Sequence, residues 1–235
     1  TREIITTPTH RFFVLSEDGK IVEKFAKDLK CNDYVAGIKE WKVEGRYWKG
    51  KEWCEFLGYL TGDGAVGKRS ISFWDSDKRL LEYYRNLAIS LRFNPKEIKK
   101  SKRKNCYYFR INDVLLVKSL TSLGLKAKSR EKRIPKKVLN ATNEELAAFL
   151  RGIFDAEACV YFGKGKNKMK MRKTDKDYNL HHIIFSSSSK RLVEEVKFAL
   201  LRFGIETTRI KEVKNRFGVV YEIRIIECES IKRFK

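Results

Sequence analysis

Two acidic residues in this 235-residue chain are spaced where they could share a divalent cation. Asp63 ends the run FLGYLTGD, residues 56–63, and Glu157 ends LRGIFDAE, residues 150–157. Each run holds small residues four apart, Gly58 and Gly62 in the first, Gly152 and Ala156 in the second. Small residues at that spacing let two helix backbones approach closely. If the helices pack on each other, the acids that follow them arrive side by side. Converging carboxylates are oxygen ligands for a divalent metal acting on a phosphodiester. A single copy would read as an ordinary buried helix, whereas two copies in register, each ending in an acid, do not. Asp155 has Thr61 at its repeat position and is expected to be a bystander. Residues two apart on a helix point roughly 200° apart, so Asp155 and Glu157 cannot face the same partner.

The chain carries 52 Lys and Arg against 30 Asp and Glu, a formal net charge of +22. A field of that sign attracts polyanions, nucleic acid first among them. No apolar run approaches the ~18 residues of a spanning helix, so a membrane partner is not expected. The opening residues contain neither an initiator Met nor a signal peptide, which points to a trimmed start and an intracellular protein, in cytoplasm or nucleoid. Five scattered Cys without C-x-x-C spacing argue for reduced thiols over a disulfide scaffold or zinc site.

The elements that must position the acids repeat along the chain. After each acid come strand-like residues, 70–74 and 182–185, then an amphipathic helix, 78–93 and 190–203. Asp77 and Ser189 stand at N-cap positions, and Gly204 reads as a C′ stop. Strand pairs follow near 97–100 with 107–112, and near 208–213 with 219–226. A helix over 113–123, closed by Gly124, ends the first half, and the second half has only a stub there. Residues 142–145, TNEE, form a capping box ahead of the second motif. The fold class expected is α+β, tandem pseudo-two-fold αββαββα repeats with antiparallel saddle-shaped sheets. The expected domains are residues 1–50, a small β-rich segment, 51–140 and 141–235. Residues 126–139, charged and containing Pro135, read as the linker between halves.

Basic runs fall in the strand regions of both halves. One bridges two strands of the first half and contains Lys99, Lys100, Lys102, Arg103, Lys104 and Arg110. The other lengthens the first hairpin of the second half and contains Lys164, Lys166, Lys168, Lys170, Arg172 and Lys173. A ribbon of that length can lie in a major groove, with its cations on phosphates and guanine edges.

The doubled motif and its matching downstream elements resemble the LAGLIDADG homing endonucleases in their single-chain form, over about residues 51–235. The resemblance implies motif helices packed at a pseudo-two-fold axis and sheets laid over the major groove of double-stranded DNA. It implies a monomer that cuts both strands of a long asymmetric site across the minor groove, leaving 3′ overhangs. It implies Mg²⁺, with Mn²⁺ as a substitute, held at Asp63 and Glu157 together with the preceding Gly62 and Ala156. K-x-I-P, here Lys132, Ile134 and Pro135, resembles a block in intein-borne members whose lysine assists catalysis, and the other reading is a linker lysine on a charged surface. Two departures stand out. Asp75 and Ser187 lie where some members carry Gln or Lys at the end of the strand after the motif. Ala158 replaces the last glycine of the motif, so that helix exit is expected to differ.

The first ~50 residues resemble part of an intein Hint module, with Thr7 and His10 in its T-x-x-H pattern. No upstream Cys or Ser nucleophile and no closing His-Asn accompany them, so the segment is expected to be a relic without a peptide bond to activate. Trp41, Tyr47, Trp48 and Trp53 are expected to pack it against the rest. An RNA-splicing maturase or a non-cleaving DNA-binding regulator of the same fold is the alternative function.

Overall fold

The computed structural model describes residues 4–102, 105–125, 128–161, 182–215 and 218–234. It opens with a three-stranded antiparallel sheet of β1 (Arg11–Leu15), β2 (Ile21–Phe25) and β3 (Tyr34–Val35), in the order β2-β1-β3. The first repeat follows: α1 (Lys51–Asp63), β4 (Gly64–Val66), β5 (Ile71–Asp75), α2 (Lys78–Ser90), β6 (Lys99–Lys100), β7 (Tyr107–Ile111) and α3 (Val114–Ser122). A short helix α4 (Lys136–Leu139) lies in the connection. The second repeat is α5 (Asn143–Glu157), β8 (Ala158–Tyr161), β9 (His182–Ser187), α6 (Lys190–Leu200), β10 (Lys211–Asn215), β11 (Gly218–Ile225) and α7 (Cys228–Phe234). The mixed architecture with antiparallel sheets is the one the repeat predicts, and the C-terminal stub is a full seven-residue helix.

The two sheets are copies in register as well as in order. Strands run β4-β5-β7-β6 in one and β8-β9-β11-β10 in the other. Gly64 pairs with Phe73 and, at the repeat position, Ala158 pairs with Phe185. Alternate residues point inward: Ile71, Phe73, Phe109 and Ile111 in the first sheet, Ile183, Phe185, Ile223 and Ile225 in the second, all buried. That leaves Ser72, Trp74, Tyr108 and Arg110 on the other face. Asp77 caps α2 by accepting from the Arg79 N–H, and Ser189 caps α6 by accepting from the Leu192 N–H.

Between the sheets α1 packs on α5. Burial covers residues 53–62 of α1 on every side, the signature of a helix enclosed by protein. A methyl group at Gly58 would overlap the Phe149 carbonyl of α5, and one at Gly152 would overlap the Glu55 carbonyl of α1. The pair is reciprocal, as an approximate two-fold axis requires. The N-termini are tied as well. Thr142 and Glu145 form the capping box of α5, and the buried Glu145 carboxylate also accepts from the backbone N–H groups of Trp48, Lys49 and Gly50. The start of α1 has no side-chain cap of its own, and Gly50 enters it at φ 92°, a conformation that favours glycine. Glu145 thus satisfies donors at the start of both central helices.

Several expectations need correction. Both central helices leave in the same way, since Gly64 and Ala158 are extended and each donates to the carbonyl four residues back, Leu60 and Phe154. Ala158 therefore costs no change of exit, and what Gly64 avoids is a clash with Leu60. Within the connection Ile134, Pro135 and Val138 are buried, and residues 129–131 form a 3₁₀ turn. His10 is exposed and its ring meets Phe12 edge-on. Trp53 belongs to the central core, Trp48 packs partly against it and Trp41 meets Phe198 edge-on, but Tyr47 is 75% exposed.

Gly152→Ala should destabilise the protein by about 1–3 kcal/mol, because the new methyl meets backbone that cannot rotate away. Gly37→Ala, whose methyl would meet nothing within 4 Å, should leave stability within ~0.5 kcal/mol of the parent. Urea melts of the two variants against the parent decide it, and equal midpoints would show that the central helices have slack.

Candidate functional site

The close approach of α1 and α5 continues to their C-terminal ends. A methyl at Gly62 would overlap the Ala156 side chain and crowd the Glu157 Cγ. Asp63 and Glu157, the last residues of the two helices, are thereby brought together and half-buried. Burial raises the Asp63 carboxyl first, the charge of Glu157 raises it next, then that of Asp75, and together they push it up to about 7. Burial also raises Glu157, offset by the Lys132 ammonium. Both helix C-termini add negative potential at the same place.

Lys132 enters this site from the connection. Its Nζ donates to the Gly62 carbonyl and lies 3.5 Å from Glu157 Oε1. The Gly62 carbonyl therefore has an ammonium on it, and Ala156 contributes its methyl to the helix contact. Asp155 faces away and accepts from Tyr84 Oη at 2.7 Å. Asp75 accepts from Tyr59 Oη at 2.7 Å and from the Asp77 N–H at 2.8 Å. Tyr59 and Tyr84 stack with centroids 3.7 Å apart, and burial raises both phenols. Ser187, the repeat counterpart of Asp75, is buried and accepts from the Ser189 N–H.

Sequence reasoning omitted Tyr59 and Tyr84 from the site's surroundings, and named Asp75 only as a departure from the family pattern. Strand alternation puts Asp75 on the inward face with Phe73, and that signal could have given it a place beside Asp63. Trp74 and Tyr108 were also omitted; they stack at 4.5 Å on the outward face, with the Arg110 guanidinium over Tyr108 at 5.4 Å. Lys99, Lys100, Lys102 and Arg110 are exposed along this sheet. Arg103, Lys104, Lys164, Lys166, Lys168, Lys170, Arg172 and Lys173 lie outside the described residues. Among the described residues, no three His, Cys, Asp or Glu converge on a metal-sized point. The pair Asp63 and Glu157 offers hard oxygen ligands, crowded and desolvated, of the kind that hold a hard divalent cation.

A family model described as LAGLIDADG-like domain matches residues 55–123 and 144–235. The chain belongs to the LAGLIDADG family. Its two matched stretches contain the two acids. A replication factor C small subunit of Methanocaldococcus jannaschii is 31% identical over 99% of this chain, but that match is 12% of the relative's length. Relatives 26–29% identical carry the names of a DNA helicase, an aminotransferase and an ATP synthase subunit, and the chain spans no more than about a fifth of each. Among solved structures, the homing endonuclease I-DmoI in complex with DNA and Mn aligns at TM-score 0.52 and 19% identity, covering 77% of this chain and 93% of that one. The N-terminal LAGLIDADG domain of DUF199/WhiA aligns at TM-score 0.52 and 14% identity, covering 78% of each. These likenesses are of fold.

The elevated Asp63 carboxyl has a consequence for stability. Its unfolded value is near 3.8 and its folded value about 7. Between those values the folded protein holds a proton that the unfolded chain has lost, so this group's contribution falls as pH rises through the window. Asp63→Asn should therefore melt higher than the parent in chelator, with a gain small at pH 4 and largest above pH 7. A gain independent of pH would contradict the assigned cause.

Proposed function

We propose that this chain is a divalent-metal-dependent endonuclease that binds a long asymmetric DNA duplex and hydrolyses both strands across the minor groove. The observation that carries the reading is the convergence of Asp63 and Glu157, one from each repeat, at the ends of helices in backbone contact. Fold likeness alone does not choose this reading, since the I-DmoI and WhiA domains are equally similar in fold. The acid pair supports cleavage over a binding-only regulator.

Asp63 and Glu157 would hold Mg²⁺ or Mn²⁺, which when bound supplies an activated water and offsets charge on the oxygens of an in-line displacement. The chain's own part is to gather and tune the oxygens. Packing of α1 on α5 holds the two carboxylates close despite their repulsion, and Lys132 places one positive charge between Glu157 and the Gly62 carbonyl. That ammonium would meet a phosphate oxygen of a bound duplex. The exposed Lys99, Lys100 and Arg110 lie on the first sheet and supply phosphate contacts. The stacked Trp74 and Tyr108 add apolar surface for base edges.

The unrelated names of the relatives, each matched over a small share of its length, support a further element of this reading. The chain is a portable segment carried within longer proteins, residues 1–50 belonging to a Hint-like part and the remainder to the two nuclease halves, 51–140 and 141–235. A single chain then supplies both acids and acts as a monomer inside the cell.

Incubation with a library of long duplexes and Mg²⁺, followed by sequencing of new ends, should recover one site with 3′ overhangs. Asp63→Asn and Glu157→Gln should bind that site with near-parental affinity. Their double-strand cleavage should fall by about two orders of magnitude or more, roughly 3 kcal/mol of transition-state stabilisation. Cutting at the parental rate in either variant would overturn the assignment.

Replacing Lys99, Lys100 and Arg110 with Ala should weaken binding and flatten its salt dependence. The slope of log affinity against log salt should change by about 0.9 for each phosphate that is no longer neutralised. An unchanged slope would remove this sheet from the interface.

A further inference from the structure

We propose that Ser189 and Glu195 are positioning residues for Lys132, and that docking of the connection onto α6 is what delivers the ammonium to the acid pair. The inference rests on the nuclease reading for its consequence in catalysis, but the geometry stands separately. A lysine side chain is a flexible four-carbon stem with a point charge at its tip. Its ammonium is only as well placed as the peptide that carries it. Here the peptide is pinned on both sides of Lys132. Ser189 Oγ, fully buried, donates to the Lys132 carbonyl at 2.7 Å. The Glu195 carboxylate accepts from the Ile134 N–H at 2.8 Å and from Arg133 Nε at 3.0 Å. Arg191, one turn back on α6, lies 3.5 Å from the same carboxylate. Ile134 and Pro135 are themselves buried, so the loop is held by polar pins as well as by burial.

Ser189 does two things at once. Its oxygen accepts from the Leu192 N–H as the cap of α6, and its hydroxyl proton goes to Lys132. The first repeat supplies the contrast. Asp77 caps α2 through the Arg79 N–H and, as a carboxylate, has no proton to give. Tyr83, at the repeat position of Glu195, donates its hydroxyl to Glu55 of α1 instead. The means of gripping the connection are therefore present in only one repeat, the one against which Lys132 lies.

The cap and the donation separate by mutation. Ser189→Asp keeps a cap acceptor and loses the donor, whereas Ser189→Thr keeps both. Glu195→Gln keeps an acceptor for the Ile134 N–H and loses the charge facing Arg133. In metal-free protein without DNA, acetylation by a soluble amine-reactive ester, read by peptide mass spectrometry, reports how closely Lys132 is held. Labelling of Lys132 should be slow in the parent and approach the rate of the exposed Lys136 in Ser189→Asp, while Ser189→Thr restores the slow rate.

In single-turnover cleavage at saturating enzyme, Ser189→Asp should slow the chemical step by about 10- to 100-fold, the scale expected of a misplaced reacting group. DNA affinity should stay near that of the parent; burying a carboxylate lowers the melting temperature, so rates are compared well below it. In a Lys132→Met background the same substitution should add no further loss, because both act through one ammonium. Unchanged labelling in Ser189→Asp, or a rate loss that persists in full without Lys132, would overturn the proposal. Should Ser189→Asp fail to fold, Glu195→Gln takes its place with the same two outcomes. A parent that cuts no duplex would overturn the nuclease reading, and labelling would still decide whether Ser189 holds Lys132.

Discussion

Everything about the site depends on two helix backbones touching. Gly58 lies against the Phe149 carbonyl and Gly152 against the Glu55 carbonyl, with Gly62 on Ala156 at the near end. Side chains of any size at these positions would hold the helices apart by the usual 8–10 Å of interaxial distance. The acids at their ends would then separate too. An approach this close offers dispersion and weak Cα–H···O attraction, which are individually small, so it needs support from elsewhere. That support comes from the core on both flanks, where Phe56, Leu57, Tyr59, Phe149 and Ile153 are fully buried. At the far end Glu145 of α5 joins the N–H groups that open α1. The helices are thus bound at the start and pressed together along their length, and the like charges are left at the end where repulsion can be met by a cation.

The two-fold relation holds for backbone and apolar packing and fails for polar chemistry. Tyr59, Asp75 and Tyr84 have Ile153, Ser187 and Val196 as their repeat counterparts, and Asp155 has Thr61. The hydrogen bonds from Tyr59 to Asp75 and from Tyr84 to Asp155 therefore exist on one side alone. Asp63 has a third carboxylate in its field, while Glu157 has Lys132 beside it. Equivalent positions thus bear acids in unequal surroundings. Symmetry is kept in the acid pair and where shape requires it, because backbone contact across an axis must be reciprocal, and is released in the polar groups around the acids.

The sequence carried the fold in features that act locally. Period-two alternation, caps at Asp77, Ser189 and Thr142, and small residues four apart each depend on a few neighbouring residues, so they are legible without coordinates. The carboxylate pair was legible for a second reason, since a repeat forces equivalent groups together. What escaped was long-range. Glu145 reads as a capping-box acid, and nothing near it announces that it also serves α1, 95 residues away from Gly50. Residues 126–139 read as linker because they are rich in charge and hold Pro135, yet Ile134, Pro135 and Val138 are buried. Tyr47 shows the reverse error, an aromatic ring taken for packing that stands in solvent. Burial of a few side chains among many charged ones is a property of the assembled surface and leaves no period to read.

Duplication accounts for two acids but cannot account for the cation between them. Each repeat contributes a carboxylate at a helix C-terminus, and each such terminus brings its own negative potential. Two repeats alone would concentrate negative charge in a site from which water has been partly removed, and burial already raises both acids. A compensating positive charge placed on the axis by a duplicated element would have to appear twice. The connection is the one part of the architecture between the halves that is not copied, and it is from there that Lys132 comes. It reaches the Gly62 carbonyl of the first motif and the Glu157 carboxylate of the second, bridging the repeats, and its charge opposes the elevation of both acids. The segment that joins the halves in sequence also joins them in charge, and its contacts to Ser189 and Glu195 seat it against α6.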